Sequence, residues 1–502
     1  MKKRSSGILM GIPSLPSPYG IGTMGKTARE WVDFLHSSGQ SWWQILPLGP
    51  TSYGDSPYQS FSSAAGNPYL IDLDILVEEG LLKKEEIDER DWGKDKERVD
   101  YGAIYTSRFS VLHLAYERAR EERKAEIQAF REENKDWVED YALFMALKKH
   151  FGMKSWIDWP DESIRKREKE SVERYRNLLS DDISFYAFMQ YLFFRQWNAL
   201  RSYAKDKGIG IIGDVPIYVA LDSADVWTSP EMFQLDASYY PEEVSGVPPD
   251  YFNADGQLWG NPLYAWDEME KDGYDWWIKR IKANFRLADI IRIDHFRGFE
   301  AYWRVPKGED TAMNGEWVKG PGQKFFDRIK EVFGSDLPII AEDLGVITPE
   351  VEALRDDNHL PGMKILQFAF GFDDEGEFDT TNEYLIHNIG EVSVAYTGTH
   401  DNNTTIGWYN SLDDRTKDVI RRYFECSDNE VLWKMIRALL MSNAMYVVFP
   451  MQDILGLGEE ARMNVPSTCG TSNWSWKMKK EDITSPSLEG IKYYSKLYGR
   501  SK

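Results

Sequence analysis

The chain of 502 residues carries 60 Lys and Arg against 82 Asp and Glu, a formal net charge of −22, and 14% of it is aromatic, with 19 Trp, 27 Tyr and 24 Phe. An acidic balance of this size argues against a sequence-independent grip on nucleic acid, which needs Lys and Arg gathered on one face, and it disfavours anionic membrane surfaces. With 42% hydrophobic residues and a mean hydropathy below zero, the composition is that of a large soluble globular protein, neither disordered nor membrane-embedded.

The chain opens on Met1-Lys2-Lys3-Arg4 and a short apolar stretch, Gly7 to Ile12, which Pro13, Pro16 and Pro18 interrupt. That is too short for a signal-peptide core, and no later run approaches a membrane span, so cytoplasmic residence is expected. Gly20-Ile21-Gly22-Thr23-Met24-Gly25 matches GxGxxG but follows a Pro-rich loop, where a dinucleotide fingerprint follows a strand. A first strand is expected at Trp42–Leu46 and a weaker one at Tyr69–Ile71.

From 81 to 207 the chain is rich in Glu, Lys and Arg, with helical apolar spacing at Phe109, Leu112 and Tyr116 and at Tyr141, Phe144, Met145 and Lys148. It reads as a helical insertion. A second GxGxxG, Gly208 to Gly213, runs into the strand Ile211–Val215 and is a helix-to-strand turn. The stretch 223–271, rich in Pro, Gly, Tyr and Trp, is too long for an ordinary βα loop and reads as a functional loop insertion.

Strands are then expected at Ile290–Asp294, Pro338–Asp343, Lys364–Phe368, Val392–Tyr396 and Tyr446–Phe449, with helices such as Gly322–Phe333 and Thr348–Asp356 between them. About eight βα units with polar residues at the strand C-termini favour a (β/α)8 barrel, an α/β fold, over an open doubly wound sheet, which the pattern alone leaves open. The whole chain, 1–502, reads as one barrel domain with two insertions. Cys426 and Cys469 lie in no CxxC pair, so neither a disulfide scaffold nor a Cys-ligated metal is expected.

Three carboxylate clusters each close an apolar run: Arg292-Ile293-Asp294-His295-Phe296-Arg297-Gly298, Ile340-Ala341-Glu342-Asp343-Leu344-Gly345 and Tyr396-Thr397-Gly398-Thr399-His400-Asp401-Asn402. Strand C-termini of a parallel barrel share one face, so these acids would converge. Such a set suits glycoside chemistry, in which one ionised acid attacks or stabilises an oxocarbenium-like centre and another, held protonated, donates to the leaving oxygen. One acid alone at a strand end is a helix cap or a loop salt bridge. Three together, each beside an Arg or His, point to a site. A metal site of His295, His400 and Asp401 is the second functional reading, but Trp42 to Pro47 offers no further ligand, and neither metal nor cofactor is expected.

Aromatics flank these acids in the expected loops: Tyr53 and Tyr58, then Tyr251, Phe252 and Trp259 beside Asp250 and Asn253. Rings of this kind stack on the apolar faces of sugars while Asp, Asn and Gln reach hydroxyls. Trp42, Trp43, Trp276 and Trp277 fall in a strand and a helix and are assigned to the core.

Taken together, RIDHFRG, IAEDLG, YTGTHDN, Gly54-Asp55-Ser56-Pro57-Tyr58-Gln59, the Pro248 to Trp266 stretch and Arg462-Met463-Asn464-Val465-Pro466 resemble the 4-α-glucanotransferases, or amylomaltases, of the α-amylase clan, along nearly the whole chain. The resemblance implies a (β/α)8 barrel and transfer of α-1,4-glucan segments between malto-oligosaccharides, with no nucleic-acid or membrane partner. It implies Asp294 as nucleophile, Glu342 as acid/base and Asp401 as the residue that orients sugar hydroxyls. Arg292, His400 and Asp214 would hold the nucleophile and the donor sugar, and Tyr58 would stack on that sugar. Asp250, Tyr251 and Trp259 would cover the glucan, and Asn464 would bind substrate. A retaining mechanism would then place the two reacting carboxyls roughly 5 to 5.5 Å apart. An α-glucan hydrolase with the same acids and a non-catalytic glucan-binding barrel are the competing readings.

Overall fold

The β-rich runs form the staves of a closed parallel barrel in a computed structural model of the chain, which describes residues 4–52, 54–249, 255–468, 470–484 and 487–501. The strands are, in chain order, β1 (Ser5–Leu9), β2 (Trp42–Gln44), β3 (Gly210–Val215), β4 (Glu243–Val247), β5 (Gln257–Pro262), β6 (Ile290–Ile293), β7 (Ala301–Pro306), β8 (Glu316–Lys319), β9 (Ile339–Ala341), β10 (Gly362–Ile365), β11 (Ser393–Tyr396) and β12 (Tyr446–Pro450). The barrel runs β1-β12-β11-β10-β9-β6-β3-β2, every pair parallel. Its staves are buried on both faces, as continuous apolar runs require.

The eighth stave is β1, not the Tyr69–Ile71 run favoured by β-propensity. Pro68–Leu70 instead forms a 3-10 turn whose start is capped by Asn67 Oδ1 on the Tyr69 N–H at 2.9 Å. β1 has the sequence SSGIL, with little β-propensity of its own, and is held by neighbours on both sides, five register pairs with β12 and three with β2. Gly7 permits the close approach: a Cβ there would lie 2.5 Å from Trp42 Cβ.

Between β2 and β3 the chain is helical, chiefly in Tyr101–Glu122, Lys124–Glu133, Val138–His150 and Ser180–Asp206. The last of these buries Phe185, Phe188, Leu192, Phe193 and Trp197 and joins the helices to the barrel core. The 223–271 stretch is not an irregular loop: β4 and β5 pair within it and extend into a sheet of order β5-β4-β7-β8. Trp259 thus sits on β5, where the register with β4 shifts next to the Leu258–Gly246 pair. Trp43 and Trp277 are fully buried, while Trp42 and Trp276 are half-buried against the same core. Asp214 pairs with Arg292 across β3 and β6, and Ile293 with Ala341 across β6 and β9, so Asp294 and Glu342 leave adjacent strands at the same level. Among the described residues, no helix is long and apolar enough to cross a membrane.

Candidate active site

A buried arginine organises the strand ends. Arg292, 3% exposed, points its Nη1 at both oxygens of Asp214, at 2.7 and 2.8 Å, and its Nη2 at Asp294 Oδ1, at 2.9 Å. Burial by itself disfavours the guanidinium charge, but the two carboxylates reverse this and hold it firmly protonated.

Asp294 directly follows β6, and its N–H donates to Val215 O at 3.0 Å. Burial lifts its carboxyl to about 6, with Arg292 opposing and Asp214 and Asp401 adding to the rise. The next residue, His295, is left-handed at φ 52°, an uncommon conformation for a residue with a side chain. That turn aims its N–H at Glu342 Oε2, at 2.5 Å. Glu342 is tied again by Leu344 N–H to Oε1 at 3.0 Å, by its own N–H to Ile293 O at 3.1 Å, and by Phe296 N–H to its carbonyl at 3.0 Å. Burial, then the charge of Asp294, lift the Glu342 carboxyl to about 8, against Arg292 and the two backbone donors. The two groups titrate as a pair. Near neutral pH the favoured state has Asp294 ionised and Glu342 protonated.

The third acid sits beyond β11. His400 stacks on Tyr58, ring centroids 5.2 Å apart, and Trp474 tilts against both. The Tyr58 hydroxyl donates to Asp214 Oδ2 at 2.7 Å and lies 2.8 Å from His400 Nε2. The same Nε2 is 3.3 Å from Asp401 Oδ2, and Asn464 Nδ2 donates to Asp401 Oδ1 at 2.7 Å. Burial would raise the Asp401 carboxyl, but His400 and Asn464 overcome it and hold Asp401 below the usual carboxylate range. Asp401 therefore stays an acceptor of hydrogen bonds at any working pH.

Tyr58, Asp214, Arg292, Asp294, His400, Asp401 and Asn464 thus form one hydrogen-bonded and ion-paired chain, to which Glu342 is joined through the His295 N–H. Trp259 stands beside it, edge-on to the His295 ring at 4.7 Å. Asp250 and Tyr251 lie outside the described residues, as do Tyr53, Phe252 and Asn253. The set His295, His400 and Asp401 does not form a ligand cluster: among the described residues the group with metal-ligand spacing is His113, Glu117 and Asp181, on the helices, where Arg120 already pairs with both carboxylates.

Arg462, which the sequence offered only as part of the Arg462 to Pro466 motif and without a role, donates from Nη2 to Asp401 O at 2.9 Å and from Nε to Asn464 O at 2.8 Å. Its place two residues before Asn464 was the available signal. Sequence reasoning passed over the His295 backbone, which no residue pattern announces.

A 4-alpha-glucanotransferase family model matches residues 10–484. A 4-alpha-glucanotransferase of Streptococcus pneumoniae is 49% identical, over 100% of this chain and 98% of its own length, and one of Thermus thermophilus is 50% identical over 96% of each. The structure of an amylomaltase from Streptococcus agalactiae in complex with acarbose superposes with a TM-score of 0.95 at 44% identity, covering 100% of both chains. An amylomaltase from Corynebacterium glutamicum, at 18% identity and a TM-score of 0.76, shares the fold. Matched in sequence and in structure along nearly its whole length, the chain belongs to the 4-alpha-glucanotransferase family of (β/α)8 barrel enzymes.

Proposed function

We propose that this glucanotransferase disproportionates malto-oligosaccharides by a retaining, two-step mechanism on Asp294 and Glu342. In the first step Glu342 gives its proton to the glycosidic oxygen as the Asp294 carboxylate attacks the anomeric carbon. The C1–O bond breaks, the reducing-end fragment leaves with a free 4-hydroxyl, and a glucosyl ester of Asp294 forms. In the second, the Glu342 carboxylate takes the proton of an acceptor's 4-hydroxyl, whose oxygen attacks C1 and frees Asp294. Two inversions leave an α-linkage.

Arg292 steadies the Asp294 carboxylate in both steps. Asp401, kept ionised, accepts from hydroxyls of the donor sugar, with His400, Asp214 and Asn464 fixing its surroundings and Tyr58 offering a ring to the same sugar. Trp259 is assigned to the cover over the glucan, a role that the family resemblance extends to Asp250 and Tyr251. A covered site favours a bound acceptor over water, and this separates transfer from hydrolysis.

The observation that supports this reading is the bond from His295 N–H to Glu342 Oε2, which ties the Glu342 carboxyl to the residue next to Asp294 while their environments push the two carboxyls to different protonation states. Incubation with maltotriose tests it. Transfer yields glucose and longer glucans with no net gain of reducing ends. A steady rise in reducing ends identifies a hydrolase instead. Acarbose, present in the structure of the Streptococcus agalactiae amylomaltase, is a ligand with which to probe this site.

A further inference from the structure

Glu342 stands at the thinnest seam of the barrel. β6 and β9 share three register pairs and β10 and β11 share four, but β9 and β10 meet at one, Gly362 with Ala341. Glu342 and Asp343 leave β9 at that point. Side chains alternate along an extended chain, so Glu342 turns toward the cleft and Asp343, 3% exposed, turns toward the layer between barrel and helices.

In that layer Asp343 Oδ1 accepts the N–H of Met363 on β10 at 2.7 Å, and its Oδ2 accepts from Arg355 on the helix Pro349–Asp357 that follows β9. Lys364, the next residue of β10, adds a second positive charge and is itself held by Glu383. A Cβ on Gly362 would lie 2.4 Å from Asp343 Oδ2, so the glycine lets β10 come up against the carboxylate. On its other side Met363 reaches the site, with Sδ 3.3 Å from Arg292 Nε. Toward β6, by contrast, Glu342 is tethered by the backbone bonds to Ile293 and Phe296.

Resting on the reading of Glu342 as acid/base, we propose that Asp343 is a positioning residue: its carboxylate carries the β9–β10 seam past the single ladder pair and so holds Glu342 at its working angle over Asp294. With Asp343 in place Glu342 is anchored from both neighbouring strands. Without it the β10 side keeps only the Ala341–Gly362 pair, with the Ala341 N–H on Pro361 O at 3.0 Å, and nothing past that point holds the strand end that carries Glu342 to β10. Asp343 touches no substrate and acts through the strand end it fastens.

The test compares Asp343→Ala, Asp343→Asn and Arg355→Ala on maltotriose and on α-maltosyl fluoride. In Asp343→Ala, kcat on maltotriose falls about a hundredfold at unchanged KM, the scale of loss that a misplacement near 1 Å produces. The alkaline limb of its pH profile moves to lower pH, because a displaced Glu342 feels the charge of Asp294 less. Fluoride needs no proton to leave, so the first-turnover burst of fluoride from maltosyl fluoride stays near wild type. Asp343→Asn keeps an oxygen for the Met363 N–H and recovers at least about tenfold of the lost kcat. Arg355→Ala gives a smaller loss with the same shift of the alkaline limb, and it serves as the test if Asp343→Ala does not fold. A wild-type kcat and pH profile in folded Asp343→Ala or Arg355→Ala overturns the proposal, as does a fluoride burst that falls in step with kcat, or an Asn variant no better than Ala. Full maltotriose turnover by Glu342→Gln would instead remove the acid/base reading beneath it.

Discussion

The N–H of His295 donates to the Glu342 carboxylate at 2.5 Å, and it can do so because His295 is left-handed at φ 52°. One residue therefore links the ends of β6 and β9, placing the proposed acid beside the proposed nucleophile. The cost of this arrangement is a shared burial of two carboxyls, and it sets the pH behaviour of the enzyme.

With Asp294 lifted to about 6 and Glu342 to about 8, kcat/KM for maltotriose is expected to be bell-shaped. Activity falls below the lower limb as Asp294 gains its proton and can no longer attack. It falls above the upper limb as Glu342 loses the proton it must donate. On maltosyl fluoride, whose leaving group needs no proton, the upper limb should be absent from kcat/KM in the parent and in Glu342→Gln alike, and the lower limb should stay in place in the variant, because Glu342 is already uncharged where Asp294 titrates. A rate–pH series on both substrates checks this.

Asp294→Asn keeps the size of the side chain and its contact with Arg292 but removes the proposed nucleophile. Turnover should drop by at least about 10³-fold, roughly 4 kcal/mol of barrier. Mass spectrometry of the quenched enzyme should show a covalent glucosyl adduct in the parent protein and none in the variant.

Stability should run against activity at Glu342. An unfolded glutamate ionises above its ordinary 4.5, whereas in the fold Glu342 keeps its proton to about 8. Between those values unfolding releases a proton, so the group's contribution to stability declines as pH rises across that window. Glu342→Gln has no such proton to lose. Its melting temperature should exceed that of the parent by a margin that grows from pH 5 to pH 8, read by calorimetry at matched ionic strength.

Asp214 is fully buried and takes two bonds from Arg292 and one from Tyr58. Asp214→Ala leaves a buried guanidinium with one carboxylate where it had two, and should cost about 3 to 5 kcal/mol of stability, the loss typical of breaking a buried ion pair. Denaturant unfolding measures it. A loss under 1 kcal/mol would show that Asp294 alone satisfies the arginine.

Gly7→Ala places a Cβ 2.5 Å from Trp42 Cβ and 2.6 Å from the Trp42 carbonyl oxygen, where β1 closes the barrel on β2. Overpacking against backbone cannot relax by a rotamer change, so about 1 to 3 kcal/mol of stability should be lost. KM should not change, because β1 contributes none of the proposed site residues. Thermal denaturation with kinetics at 25 °C separates the two effects.

Much of this protein is local enough to read along the chain. β-Branched runs such as Ile211–Val215 and Ile290–Ile293 declare themselves by composition. Arg292 and Asp294 stand two positions apart, His400 and Asp401 side by side, so a strand end brings each pair along without help from the rest of the fold. The barrel and the three acids at its rim were legible for that reason. The loop aromatics were legible as a class, but the ribbon that carries Trp259 was not, since β4 and β5 gain their strand character from pairing with β7 and with each other.

What the tertiary structure alone decided is everything that depends on a partner distant in sequence. β1 is a strand because β12 and β2 flank it, although its own residues favour no strand. Asp214 was named only through the family resemblance, and it is register that sets it opposite Arg292, while Glu342 finds its donor in a backbone N–H aimed by a left-handed turn. Composition and spacing report intrinsic preference, whereas hydrogen-bond register and burial arise only when the barrel closes. The residues that could do the chemistry were therefore written in the chain, and closure of the barrel decided which carboxyl keeps its proton, because that depends on burial and on the charges brought beside it.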